Sequence, residues 1–356
     1  MAKRVMIVAG GTGGHVYPAL AVARMLRENA HEVFWMGTRN GLEARVAPGA
    51  GFAIDWLSVE GFRGKHGLKL IKAPFLLVWA CCQAAAILLW RKPDVVLGMG
   101  GFVSGPGGLM AWLMRIPLVI HEQNAVPGST NRILAHLAKR VLEAFPGTFD
   151  ASCSALCIGN PVRAEIVDLG RVEDERENPG KTPRILVIGG SQGARRLNLS
   201  VPRAIASLNR DVEVHHQSGL VMWQQTENLY REHSIEARVS AFVEDMAEAY
   251  GWADLVICRA GAMTISELAI AGLPAILVPF PFAIDNHQTR NGHYVAAAGA
   301  VLVLPEQDDL ETKLAESLRL LLDDPERVAS MSKAMASLAR PEAARQIAEI
   351  CIREAL

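Results

Sequence analysis

Short apolar runs ended by glycine or a polar residue recur along the chain, each followed by apolar residues at helical spacing. In the first half the runs at 4–9, 32–37, 94–98 and 117–121 predict strands, and 17–29, 70–90, 105–114 and 128–139 predict helices. A charged, turn-forming stretch, VEDERENPGKTP at 172–183, interrupts the pattern. It restarts with strands at 184–189, 212–216, 255–258, 275–278 and 300–303, with helices in the gaps. Alternation of this kind is how a parallel sheet covered by helices on both faces is written in sequence. The expectation is therefore α/β: two Rossmann-like, doubly wound parallel-sheet domains, 1–162 and 163–340, facing across a cleft. The last helical stretch, within 341–356, can pack on either half and is expected to return to the first.

Composition narrows the class. Half of the 356 residues are hydrophobic and 21% are charged, which suits packed domains. A formal net charge of −1 leaves no global attraction for nucleic acid, so none is expected as a partner. The six cysteines lack metal-ligand spacing and read as free thiols in a reducing compartment. The chain enters its first strand directly after Met1-Ala-Lys-Arg4, which predicts a cytosolic protein without a cleavable signal peptide. One segment qualifies that expectation. APFLLVWACCQAAAILLW at 73–90 is interrupted only by Gln83 and flanked by Lys69, Lys72, Arg91 and Lys92. A buried helix, a helix lying on a membrane surface and a true span all fit it, in that order.

The chemistry is carried by loops at strand ends. The turn GGTGG at 10–14 precedes His15, and GGSQGA at 189–194 follows a second strand. Glycines there let backbone N–H groups approach a phosphate at a helix N-terminus. The first turn does not fit a dinucleotide fingerprint, because Val16 holds the third glycine position and Thr38-Arg39 replaces the acidic ribose ligand. His15 reads either as a capping or packing residue or as a catalytic or phosphate-contacting one. A third glycine cluster, 98–108, and the tetrad His121-Glu122-Gln123-Asn124 also lie at strand ends. In the second half, CRAGAMTISE at 258–267 opens a helix that carries Glu267, a residue suited to a vicinal diol such as a ribose. The loop 279–291 adds Asp285, Asn286, Gln288 and Asn291, whose amides suit sugar hydroxyls. No D-x-D pair is present to hold a metal on a diphosphate, and no H-E-x-x-H, G-x-S-x-G or Walker motif occurs. No metal site and no cofactor are expected.

GGTGGH at 10–15, GMGGFVSGP at 98–106, HEQN at 121–124, GNPVR at 159–163, GGSQGA at 189–194 and RAGAMTISEL at 259–268 together resemble the MurG family. These motifs keep a fixed order from the first strand to at least Asn291. The resemblance implies a GT-B fold and an inverting glycosyltransferase. Such an enzyme moves GlcNAc from UDP-GlcNAc to the C4 hydroxyl of MurNAc in undecaprenyl-pyrophosphoryl-MurNAc-pentapeptide (lipid I), giving lipid II. It implies a peripheral enzyme of peptidoglycan synthesis on the cytoplasmic face of the bacterial inner membrane. Its partners would be UDP-GlcNAc, lipid I, an anionic membrane surface and other cell-wall synthesis or division proteins.

Carried over by position, the resemblance puts the ribose on Glu267 and the donor diphosphate on Ala262, Met263, Thr264, Ser191 and Arg163. The uracil edge falls to the backbone of Val243 and the GlcNAc hydroxyls to Gln288 with Asn291; Thr12, Gly13, Gly14 and Asn124 also face the donor. The acceptor diphosphate would lie on Gly13, Gly14, Gly101 and Ser104. His15 would be the general base, since an imidazole's ordinary pKa of about 6.5 suits proton abstraction near neutrality. Glu122 and Asn124 would be secondary catalytic candidates. Phe75, Leu76, Trp79 and Trp112 would enter lipid, with Lys69, Lys72, Lys139 and Arg140 at its headgroups. Met263 departs from the commoner leucine, and the His287-Gln288 and Thr289-Arg290 pairs vary the surroundings of Asn291. A UDP-GlcNAc 2-epimerase, a non-enzymatic sugar-nucleotide sensor or scaffold and a dehydrogenase are the rival readings.

Overall fold

A computed structural model describes residues 1–59, 68–170, 182–189 and 194–355; the side chains of 68–73 and of Ile284 fall outside that set. The chain divides into two compact units, Met1–Arg163 with Pro341–Leu356, and Ala164–Arg340.

The first unit alternates β1 (Arg4–Val8), α1 (Gly13–Glu28), β2 (Glu32–Gly37), α2 (Glu43–Gly49), β3 (Ala53–Trp56), α3 (Leu68–Arg91) and β4 (Val95–Gly98). It continues through α4 (Ser104–Leu113), β5 (Leu118–Glu122), α5 (Ser129–Leu134), β6 (Arg140–Glu143) and β7 (Leu156–Cys157). Its strands form one sheet of order β3-β2-β1-β4-β5-β6-β7, with every pair parallel. Strands buried on both faces explain the apolar runs. Val5, Ile7, Trp35, Val95 and Leu97 pack on one face with Val16, Leu20 and Leu26 of α1. Met6, Val8, Met36, Val96 and Ile120 pack on the other with Ala80, Ala84 and Leu88 of α3.

The second unit comprises α6 (Ala164–Val167), β8 (Arg184–Ile188), α7 (Arg195–Ala206), β9 (Glu213–Gln217), α8 (Trp223–Glu232), β10 (Ala237–Ser240), α9 (Met246–Trp252) and β11 (Leu255–Cys258). After these come α10 (Ala262–Ala271), β12 (Ala275–Leu277), α11 (His287–Ala297), β13 (Val301–Val303), α12 (Leu310–Leu322) and α13 (Pro325–Ser337). Its sheet runs β10-β9-β8-β11-β12-β13, again all parallel. The final helix, α14 (Ala343–Glu354), returns to the first unit, where Ile347, Ile350 and Cys351 join the core that contains α1.

Several expectations are corrected. Strands β3, β6, β7 and β10 were not predicted; each has at most four residues, too few for a period-2 signature. The helix expected over 128–139 stops at Leu134, and Arg140 opens a strand instead. The helix expected from 17 begins at Gly13, so His15 sits inside its first turn. Arg163, expected to open the donor domain, belongs to the first unit.

The apolar segment forms α3, and only 17% of its Pro74–Arg91 span is buried, which excludes the core-helix alternative. Ala80, Ala84 and Leu88 face inward, while Phe75 is 77% exposed, Trp79 57% and, from α4, Trp112 45%. Leu76, Leu77, Val78, Leu89 and Trp90 are also exposed. It is the one helix among the described residues long and apolar enough to cross a membrane. Lys69 and Lys72 fall on its first turns, where side chains lie outside the described residues. Lys139 and Arg140 are not free cations: both are paired to Glu354 of α14, at 3.1 and 2.6 Å.

Candidate active site

In each sheet the strand order reverses at one point, β1/β4 in the first unit and β8/β11 in the second. Connections leave such a point in opposite directions and open a crevice at the C-terminal strand ends. The loops after β1, β4, β8 and β11 are the glycine-bearing ones, so topology gathers the sequence motifs where ligands collect.

In the first unit Thr12 caps α1 in an extended conformation without a side-chain cap bond, and no acidic residue occupies the first turn. The N–H groups of Gly13 and Gly14 head a sixteen-residue helix and are available to an anion. Glu43, which sequence reasoning missed, holds this turn. Its carboxylate is fully buried and accepts from the Gly11 N–H at 2.9 Å, the Thr38 N–H at 2.8 Å and the Thr38 hydroxyl at 2.6 Å.

The glycine cluster after β4 serves fit. Gly100 has φ +96°, and a Cβ there would stand 2.7 Å from His15 Nδ1. At Gly101, with φ +82°, a Cβ would overlap the Gly10 carbonyl. Ser104, expected on the acceptor diphosphate, is buried: its hydroxyl accepts from the Gly100 N–H and faces the carbonyls of Val8 and Gly100. It joins the β1 and β4 loops and has no exposed surface to give a ligand.

The HEQN tetrad separates into distinct roles. Glu122, expected as a catalytic candidate, is buried and accepts from the Asn124 N–H and side-chain amide, the Gly128 N–H and the Asn131 amide. With both oxygens occupied twice, it folds the 123–128 loop and holds Asn124. Gln123 is buried; its Oε1 lies 2.9 Å from His15 Nδ1, and its Nε2 lies 3.0 Å from both the Met99 carbonyl and His121 Nδ1. His121 Nε2 lies 2.9 Å from the Gly159 carbonyl. Complete burial pushes the His121 pKa down to about 4, so this ring is neutral at physiological pH. Among the described residues His15 Nε2 has no hydrogen-bond partner. Arg163 lies 5.9 Å from the Tyr17 ring of α1.

In the second unit Gly261 caps α10 without a side-chain bond, and no acidic residue occupies the first turn, leaving the N–H groups of Ala262, Met263 and Thr264 at the open end of the helix. Glu267 is 9% exposed and accepts from the hydroxyl of buried Tyr250 at 2.9 Å. That partner, seventeen residues upstream, was also missed. Asn291 is fully buried and donates to the Ala260 carbonyl at 3.2 Å; it shapes the turn before α10. Gln288 accepts from the Phe280 N–H at 2.9 Å. Val243 borders a groove of about 1510 Å³ with His215, Phe242 and Trp252. Its N–H donates to Gln217 Oε1 at 3.2 Å. Ser191 lies outside the described residues. Among the described residues no three His, Cys, Asp or Glu side chains gather to hold a metal ion.

The comparisons with known proteins agree with this anatomy. Residues 5–143 match the glycosyltransferase family 28 N-terminal domain and 184–347 its C-terminal domain. A protein of Methylococcus capsulatus is 57% identical over 356 residues, covering 100% of this chain and 99% of its own. It is named UDP-N-acetylglucosamine–N-acetylmuramyl-(pentapeptide) pyrophosphoryl-undecaprenol N-acetylglucosamine transferase. The crystal structure of Acinetobacter baumannii MurG superposes with a TM-score of 0.84 at 38% identity, covering 99% of both chains. This chain belongs to the MurG family. Membership of that family makes it a glycosyltransferase of GT-B fold. The Neisseria meningitidis UDP-GlcNAc 2-epimerase shares the fold alone, at 15% identity, a TM-score of 0.67 and coverage of 98% of this chain and 100% of its own.

Proposed function

We propose that the protein transfers GlcNAc from UDP-GlcNAc to the C4 hydroxyl of MurNAc in undecaprenyl-pyrophosphoryl-MurNAc-pentapeptide, inverting the anomeric centre and giving lipid II. The observation that carries this reading is the end-to-end similarity, at 57% identity, to a relative named for that transfer. The first unit receives the acceptor, with its diphosphate against the N–H groups of Gly13, Gly14 and Gly101. His15 Nε2 takes the proton from the C4 hydroxyl. The freed oxygen pair forms the new bond to C1 of GlcNAc as the C1–O bond to UDP breaks, and UDP leaves with that electron pair.

The second unit binds the donor. Glu267 accepts from the ribose hydroxyls, and the open N-terminus of α10 faces the diphosphate and stabilises the charge that develops on departing UDP. Gln288 meets the GlcNAc hydroxyls. No metal takes part in this scheme, in keeping with a chain that lacks a D-x-D pair.

The exposed apolar face of α3 and α4 gives a peripheral enzyme access to a lipid-linked acceptor on the cytoplasmic face of the inner membrane. Phe75, Leu76, Trp79 and Trp112 enter the bilayer surface. Phe75→Ser with Trp79→Ser then lowers sedimentation with anionic vesicles at least about 10-fold; unchanged sedimentation removes this part of the reading.

Transfer of radiolabelled GlcNAc from UDP-GlcNAc to a lipid I analogue, with EDTA present, tests the whole. Labelled disaccharide-lipid supports the proposal. Release of UDP with ManNAc and no lipid product would transfer the assignment to an epimerase.

A further inference from the structure

The hydrogen bonds behind His15 have a direction. Two of them end on backbone carbonyls, which only accept. The Gly159 carbonyl therefore requires a proton on His121 Nε2, and in a neutral ring that leaves Nδ1 as a lone-pair acceptor. The Met99 carbonyl requires the NH₂ of Gln123 on its side, and the same NH₂ supplies a second proton to His121 Nδ1. Both carbonyls thus place Gln123 Nε2 inward and Oε1 against His15 Nδ1 at 2.9 Å. An amide oxygen only accepts, so the proton of neutral His15 is held on Nδ1 and the lone pair on Nε2. The polarity runs from two fixed carbonyls through two side chains and needs no choice of amide flip or tautomer.

We propose that Gln123 and His121 are positioning residues that lock His15 in its Nδ1–H tautomer, so that Nε2 is the basic nitrogen presented to the acceptor hydroxyl. The inference rests on the reading of His15 as the general base. An unconstrained histidine side chain favours the Nε2–H tautomer, so the lock opposes the ring's own preference. A base held in the wrong tautomer loses orders of magnitude in rate with its geometry otherwise intact. Burial keeps His121 neutral, so the chain of donors does not reverse at physiological pH. Gly100 belongs to the same device, because any side chain there would displace the ring from Gln123.

The test reads tautomers directly. Histidine-selective ¹⁵N labelling of the full-length protein near pH 8, with long-range ¹H–¹⁵N correlation, should show His15 protonated at Nδ1 and His121 protonated at Nε2. Either ring in the opposite form overturns the proposal in the wild-type protein, with no substitution needed. In Gln123→Met the His15 signal should move toward the Nε2–H form. Saturated kcat should then fall at least about 10-fold while KM for UDP-GlcNAc stays within about 2-fold. An unchanged tautomer or unchanged kcat in that variant also overturns it. His15→Ala separates the two claims: retained kcat there defeats the base assignment, while the tautomer spectra still decide the lock.

Discussion

Glu43 offers a prediction whose size follows from its contacts. The carboxylate accepts two hydrogen bonds on Oε1, both from Thr38, and one on Oε2 from the Gly11 N–H, all inside a fully buried site. In Glu43→Gln the amide oxygen can satisfy only one side. It keeps the two Thr38 bonds and turns its NH₂ against the Gly11 N–H, donor to donor. One charge-assisted bond is lost, about 1.5–3 kcal/mol. The easier desolvation of an amide partly offsets the weakening of the other two bonds, so the net loss is about 2–3 kcal/mol. For a unit of this size that lowers Tm by roughly 4–12 °C. Because Gly11 lies beside the open turn of α1, kcat/KM for the acceptor should fall about 10-fold, with KM for UDP-GlcNAc unchanged. Scanning calorimetry and steady-state kinetics on wild type and variant check both parts. A Tm within about 1 °C of wild type would refute the claim that this carboxylate organises the turn.

Further predictions follow from other contacts. Gly100→Ala places a side chain at φ +96° and 2.7 Å from His15 Nδ1; it should cost about 1–2 kcal/mol of stability and lower kcat at least about 10-fold, and wild-type kcat would show that the ring tolerates displacement. Tyr250→Phe removes one hydrogen bond from Glu267 and should raise KM for UDP-GlcNAc about 5-fold with kcat little changed; an unmoved KM would detach Tyr250 from donor binding. Burial pushes the pKa of His121 down to about 4 and that of His216 to about 3. Both rings stay neutral in the folded protein while the unfolded chain protonates near pH 6.5, so acid favours unfolding. Their contribution is flat above that pH, and between pH 7.5 and 5.5 stability should drop by roughly 2–3 kcal/mol in urea titrations. A flat profile over that window would contradict their burial as neutral rings.

The α/β class and both glycine-bearing halves were legible because burial on both faces of a parallel strand, and the turn that follows it, are encoded by residues close in sequence. The family could be read for the same reason, since its motifs are contiguous. Local pattern also carried candidates as far as His15 and Glu267. It did not carry their partners. Gln123 is 108 residues from His15, Glu43 is 32 from Gly11, and Tyr250 is 17 from Glu267, so only the folded chain brings them together. The same limit applies to three other residues of these loops. Ser104, Glu122 and Asn291 are polar residues of the strand-end motifs, and the structure turns each inward to satisfy backbone or loop groups that burial would otherwise leave unpaired. For the 73–90 segment, composition was equally compatible with a core and with a surface. Packing of only its Ala80, Ala84 and Leu88 edge against the sheet decided that its aromatic face is exposed. Periodicity in a sequence records which residues avoid water; which group each polar atom then meets is set by distances that exist only after folding.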